Sequence, residues 1–418
     1  MWLAPTIRRV QPGMGATKML VIADTEQLKA DEIISADVAT EIEARGRAKM
    51  MQLAINAVLC FGIVAATGGL ILWLADTLTV ALIGAAMLIG GRMGLARGPH
   101  FVFFGNAAAL IGAGLLIGAS TLEIIINYDH IVGPALLSLG AAIAAVIEWR
   151  RLNGTLASSF VLGAILLMAV AIHLFGLSLI FIRHELTGWY VTLAYTYTSV
   201  LVTVIGWRLD VRLVTALAII PFAQLLETGA GYWHAAYAFG SPESTLTILQ
   251  MSALILAVMW LTRNMAARDA RHGRILAAMA FIIVNHCALV GSFSGDVVGE
   301  TLWGPGHSPN IRDFDSWETL RAAQDAFAET TLVISENAYT IVWAVALAVI
   351  IAWAARRAHR LLFNAAMTFA AIHAYTQFFE SFWKEPAAYA IGGLGAIIFA
   401  WGLWRLDQMI SDRAKLRG

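Results

Sequence analysis

LASSFVLGAILLMAVAIHLFGLSLIFI, Leu156–Ile182, is a run of 27 residues with one ionisable side chain, His173. As a helix rising 1.5 Å per residue it is about 40 Å long, more than the ~30 Å of hydrocarbon in a bilayer. It lacks the period-2 alternation of a barrel strand and the polar face of a soluble surface helix. Lipid offers the backbone no hydrogen-bonding partner, so a segment of this kind satisfies its own amides and carbonyls as a helix. The stretch reads as a membrane-spanning helix, tilted or extended past the lipid.

Working outward, similar runs recur. Twelve spans are expected: 51–75, 77–95, 101–126, 131–149, 156–182, 188–206, 211–233, 245–262, 273–294, 337–355, 361–381 and 386–404. The expected fold is an all-α polytopic transmembrane helix bundle. Residues 1–50 form a cytoplasmic segment with short helices, 51–405 the bundle with an outer loop at 295–336, and 406–418 a cytoplasmic tail. The composition agrees. Hydrophobic residues make up 59% of the chain and charged residues 13%, about half the charged share of an average soluble domain. Cys60 and Cys287 both lie inside apolar spans, which excludes a disulfide framework and a cysteine-based zinc site.

Basic residues orient the bundle. With the N-terminus in the cytoplasm, 24 of the 28 Lys and Arg fall on cytoplasmic segments. Only Arg183, Arg312, Arg321 and Lys384 face outward. Loops retained on the cytoplasmic side carry such an excess. An even number of spans with both termini cytoplasmic produces this split, and the bacterial inner membrane is the expected location. Trp73, Trp149, Trp189, Trp207, Trp233, Trp260, Trp383 and Trp404 stand at or next to span ends, where an aromatic belt sits. Gly90 with Gly94, and Gly114 with Gly118, have the spacing that lets helices approach closely.

The outer loop holds eight acids against two arginines. Asp315 followed by Glu318 reads as a capping box, and Trp317, Leu320, Ala323 and Phe327 fall on one face. A surface helix is expected at 316–330.

Ionisable groups are costly in lipid, so those inside spans are candidates for function. They are Glu123, His173, Glu227, His286, His373 and Glu380, with the amides Gln224, Asn285 and Gln377. All six ionisable groups lie from mid-membrane to the outer end, which suggests a polar cavity open to the outside. His373, Gln377 and Glu380 share one helical stripe. Gln224 and Glu227 precede Gly229 and Gly231, which can break a helix and expose backbone groups to a ligand. The expected ligand-binding residues are Glu227, His286, His373, Gln377 and Glu380. No metal-ligand motif, phosphate-binding loop, dinucleotide fingerprint or nucleophile elbow is present, so no cofactor is expected and no catalytic residue can be named. Membrane lipids and a small ligand or ion are the expected partners. Nucleic acid is not, and self-association is left open.

EQLKADEIISADVATEIEARGRAK (Glu26–Lys49), AINAVLCFGIVAATGGLILW (Ala54–Trp73) and ALIGAAMLIGG (Ala81–Gly91) resemble a broad family of uncharacterised bacterial multi-pass membrane proteins. Those begin with a short cytoplasmic helical pair before a ladder of Gly- and Ala-rich helices. The resemblance covers the first third of the chain and implies no known activity. In architecture the chain is similar to O-antigen ligase-like glycan transferases, which also have about twelve spans and a long outer loop between spans nine and ten. His307 lies in the corresponding loop. Their loop is longer, and outward arginines bind their lipid pyrophosphate, whereas this outer surface is acidic. Transport or ligand binding at an outward-facing cavity is the leading expectation. A membrane-embedded transferase acting on a lipid-linked substrate, or a structural and assembly protein, are the alternatives.

The topology is testable directly. Alkaline phosphatase fused at residue 310 is expected to be active, and fused after residue 265 or 358 to be inactive. Activity at both of the latter sites would overturn the orientation.

Overall fold

The structure is a computed structural model. It describes residues 25–30, 32–74, 76–97, 101–152, 159–226, 231–233, 238–305, 314–357 and 359–382, together with Leu394, Ile397, Trp401 and Arg405. Eight helices among the described residues are long and apolar enough to cross a membrane. This is the make-up of a multi-pass membrane protein. The chain forms two compact units, one comprising Met1–Thr215 with Asn264–His272, the other Ala216–Arg263 with Gly273–Gly418.

The first unit opens with α1 (Thr25–Ala30) and α2 (Ala36–Leu74). The expected break between a cytoplasmic helix and the first span is absent, since α2 runs through residue 50 as one helix of 39 residues. No Pro interrupts it, and Arg45 pairs with Glu41 one turn back at 2.5 Å, a spacing that supports a helix beyond the lipid. The helices α3 (Thr77–Ala96), α4 (Val102–Asn127), α5 (Val132–Leu152), α6 (Ser159–Arg183), α7 (Trp189–Leu209) and the short α8 (Arg212–Leu217) follow. Asp76 starts α3 by accepting the Thr79 amide at 2.8 Å. Hydrogen bonding to Thr79 holds the Asp76 carboxyl below its ordinary value.

Glycine spacing sets the packing. Gly84 and Gly91 on α3 face Gly105 and Gly112 on α4, each pair two turns apart. A Cβ on Gly91 would lie 2.5 Å from the Ala109 backbone nitrogen, and one on Gly112 would strike the Leu88 nitrogen. The α5–α6 pair repeats the device. A Cβ on Gly140 would lie 2.6 Å from the Ala169 oxygen, and one on Gly176 would strike the Leu137 nitrogen. The spacing of four singled out in the sequence behaves differently. Gly90 has nothing nearby, whereas Gly114 and Gly118 receive Thr67 and Ile71 of α2, themselves four apart. Ile63, Ala109, Leu110, Ala113, Val161 and Ile165 then close a core between α2, α4 and α6.

Gly140 also makes room for His173 on α6. The Leu137 carbonyl can only accept, so His173 Nδ1–H donates to it at 2.8 Å, leaving Nε2 to accept the Tyr197 hydroxyl at 2.5 Å. His173 is thus a satisfied packing residue that ties α5, α6 and α7 together. At one end of the unit Glu148 accepts Arg151 at 3.0 Å and also Arg208, joining α5 to α7. Asp210 ends α7 in the left-handed region, φ 54°. It accepts His272 Nε2–H at 2.9 Å, and His272 Nδ1 meets the buried Thr215 hydroxyl at 2.7 Å. The His272 bond, with Arg271 and Arg268 beside it, keeps the Asp210 carboxyl below its ordinary value.

In the second unit the expected seventh span, 211–233, is not one helix. After α8 the chain forms α9 (Ile219–Ala223), which contains Pro221, then a turn at 224–226 and the antiparallel pair β1 (Gly231–Trp233) and β2 (Ala238–Gly240). Proline removes a helical amide and clashes with the preceding turn, so a continuous crossing is not favoured there. The helices α10 (Ser244–Leu261) and α11 (Ala267–Ser294) follow. The connection expected outside the membrane holds β3 (Asp296–Val297), α12 (Trp317–Thr330) and β4 (Val333–Ile334), with β3 and β4 paired antiparallel. The expected surface helix is there, but its cap is Ser316 with Thr319 instead of Asp315 with Glu318. Leu320 is buried, Phe327 half-buried, and Trp317 exposed. Two long helices, α13 (Glu336–Arg356) and α14 (Arg360–Phe382), follow. The expected twelfth span lies almost wholly outside the described residues.

The close approaches predict a contrast. Gly112→Leu should lower the thermal midpoint in detergent, by an overpacking cost of about 1–3 kcal/mol. Gly90→Ala should hold or raise it, because a Cβ there meets open space and alanine favours helix by about 1 kcal/mol. Equal behaviour of the two variants would contradict the packing.

Candidate functional site

Three helices of the second unit bring the polar residues together. Asn285 and His286 come from α11, Thr340 and Trp343 from α13, and His373 and Gln377 from α14. Spacings of three and four place Thr340 with Trp343 and His373 with Gln377 on one helical face each, whereas the adjacent Asn285 and His286 diverge about the α11 axis, Asn285 toward Trp343 and His286 toward Phe369. Below them Ala288, Leu347, Ala366 and Phe369 form an apolar core. Trp343 Nε1–H donates to Asn285 Oδ1 at 3.0 Å, and Asn285 returns its amide to the Phe281 carbonyl at 2.8 Å. The Trp343 ring lies against His373, centroids 4.5 Å apart. One turn further, Thr340 donates to Gln377 Oε1 at 3.2 Å. His286 Nδ1–H donates to the Ile282 carbonyl at 2.8 Å, and its ring meets Phe369 edge-on at 5.5 Å.

His373 Nδ1 is buried in this layer and has no hydrogen-bond partner among the described residues. A second such atom lies on α10. Gln250 donates its amide to the Phe222 carbonyl at 2.5 Å, in the interrupted α9 segment, while its Oε1 is buried and unpartnered. Helix α10 links the two places. Ile248 packs on the α11–α13–α14 core, and Met251 belongs to a core with Ile219, Ala223 and Ala280.

At the start of α10 the carboxylates are satisfied instead. Glu243, almost fully buried, accepts the Gly299 amide at 2.7 Å, the Thr301 amide at 3.0 Å and the Thr301 hydroxyl at 2.5 Å. Asp296 accepts the Ser244 and Thr245 amides at 3.2 and 2.7 Å and the Tyr339 hydroxyl at 3.1 Å. The acid before α10 thus holds the segment after α11, and the acid after α11 caps α10. A carboxylate at a helix N-terminus also meets the favourable end of the helix dipole. Glu300 lies next to this pair and accepts Gln324 of α12 at 2.6 Å. Burial raises its carboxyl above the ordinary value, Asp296 and Glu243 add repulsion, and the Gln324 bond opposes both.

Of the five expected ligand-binding residues, His286, His373 and Gln377 belong to this one three-helix layer. Glu227 lies outside the described residues. Glu380 falls in α14 by its backbone, and its side chain lies outside them, so the shared cavity expected between Glu227 and the α14 stripe is not among the described features. Gln224 sits in the turn after α9 and not on a helical stripe. Glu123 accepts Thr77 at 2.6 Å and Asn127 at 2.7 Å, the bonding of a structural residue. Among the described residues, no group of three His, Cys, Asp or Glu could hold a metal ion. Sequence reasoning passed over Glu243, Asp296, Trp343 and Gln250. Glu243 directly precedes the helix opening Ser244–Thr245, and Asp296 directly follows Gly295. Those positions were the available signals.

The carboxylate exchange has measurable consequences. Asp296→Ala should lower the thermal midpoint sharply, since each buried donor it orphans costs about 1–3 kcal/mol. Glu300→Gln keeps an oxygen for Gln324 and removes the charge. Because the folded state raises this carboxyl, ionised Glu300 opposes folding, an effect that builds as pH rises from its ordinary value through the raised one. Glu300→Gln should therefore match or exceed the native chain in stability at neutral pH, with the advantage vanishing in acid. A variant less stable at pH 7 would contradict the assignment.

No protein-family model, no curated protein and no solved structure matches the chain.

Proposed function

We propose that the chain is a twelve-span protein of a bacterial inner membrane, with both termini cytoplasmic. In this reading it binds a small polar ligand or ion at the layer formed by His286, His373 and Gln377, with Glu227 and Glu380 contributing, and transports it. The observation that carries the proposal is the pair of buried, unpartnered atoms, His373 Nδ1 and Gln250 Oε1. A buried polar atom without a partner costs about 1–3 kcal/mol, and a ligand that hydrogen-bonds to it recovers that cost. The interrupted α8–α9 segment supports the same reading, because broken helices at membrane depth are tolerated where they line a binding site. The complete bonding of Glu243 and Asp296 favours a purely structural role for those two acids, and a structural and assembly protein is the second reading.

The test is a thermal-shift screen of the full chain in detergent against amino acids, nucleosides, sugars and mono- and divalent cations. A compound that binds the folded form should raise the midpoint of the native chain and leave His373→Phe unmoved. Uptake of that compound into proteoliposomes then separates transport from binding. If nothing shifts the native chain and His373→Phe is the more stable of the two, the histidine is a packing residue and the second reading takes over.

A further inference from the structure

In the first unit an apolar groove of about 540 Å³ runs between α2 and α4. Met51, Ile55, Leu59 and Gly62 line it from α2, Phe103 and Ala107 from α4. Among the described residues, no polar side chain lines it. From Met51 to Ile63 it follows α2 for about 18 Å at 1.5 Å per residue, close to one leaflet of a ~30 Å hydrocarbon core. The leaflet it follows is set by charge. Arg47 stands one turn before Met51 on the same stripe and is exposed. Arg97, also exposed, ends α3 next to the beginning of α4. Arg45 is partly compensated by Glu41, so among the described residues Arg47 and Arg97 are exposed basic side chains at this end of α2 and α3.

We infer that this groove holds one acyl chain of an anionic phospholipid, with the headgroup phosphate against Arg47 and Arg97. The inference rests on the membrane placement of α2 and α4 and is independent of the ligand layer in the second unit. A groove one leaflet deep, apolar along its described lining and with arginines at the helix ends beside it, matches a lipid in charge and length. A void there would cost its lining the dispersion contacts that a chain restores. Arginine at the mouth selects the headgroup, because each basic residue at an anionic membrane surface is worth roughly fivefold in binding.

Gly62 offers a clean probe, since a Cβ there meets nothing within 4 Å. A leucine at this position would enter the groove without displacing protein atoms. The full chain is purified in detergent, equilibrated with equal amounts of phosphatidylglycerol and phosphatidylcholine of matched acyl chains, and the retained lipid is quantified by native mass spectrometry. The native chain should retain phosphatidylglycerol in preference. Gly62→Leu should lose the retained lipid while keeping its thermal midpoint and monodisperse profile. Arg47→Gln should retain lipid with the preference reduced roughly fivefold. Equal retention of the two lipids by the native chain would overturn the inference. So would full retention by Gly62→Leu, or a change in its oligomeric state without lipid loss, which would identify the groove as a contact between copies of the chain.

Discussion

Backbone-to-backbone approach at glycine is the constraint on which the first unit depends. In lipid no hydrophobic force draws helices together, because acyl chains are as apolar as leucine. Association then relies on dispersion, which decays within a fraction of an ångström of separation. Gly84, Gly91, Gly105 and Gly112 remove the side chains that would hold α3 and α4 apart, and Gly133, Gly140 and Gly176 do so for α5 and α6. Both hairpins use a spacing of seven, which keeps the contact on one face of an antiparallel pair over two turns. The position of His173 follows from this. Its ring is held where Gly140 lets α5 come close, and from there it reaches Leu137 and Tyr197.

Polar groups in this chain divide by whether their bonds are complete. Glu123, His173, Glu243, Asp296 and Asp210 all have named partners, and each joins two segments. Their energetic role is to make a costly group affordable in apolar surroundings and to fix a register. Asp296 and Glu243 do this reciprocally, so the junctions at the start of α10 and the end of α11 stand or fall together. His373 and Gln250 in the second unit each leave a buried atom unpaired among the described residues, as does Arg271 Nε beside Asp210 in the first.

Much of the architecture was legible in order and kind. Run length and composition disclosed helices long enough to cross a membrane, because the requirement that lipid imposes on a backbone leaves few alternatives. The surface helix near 316–330 was visible from a face of apolar residues behind a capping residue, although the cap itself moved by one position to Ser316. The interruption of the seventh run was signalled by its glycines, but helix is already broken upstream of them, between α8 and the short α9 that contains Pro221. The stripe of His373 and Gln377 was legible from helical periodicity alone.

The sequence by itself determined which segments are helical and apolar, since those properties are local sums over a window of residues. Partnership was decided only by the tertiary structure. Nothing local distinguishes Gly90, which faces open space, from Gly91, which faces the Ala109 backbone. Nor does the sequence reveal that Trp343 would bond Asn285 from 58 residues away, or that Asp296 would cap a helix beginning 52 residues before it. Such facts depend on rotation of a helix about its own axis and on which neighbour meets it. Those are set by shape at the contact, where a single Cβ is enough to forbid an approach.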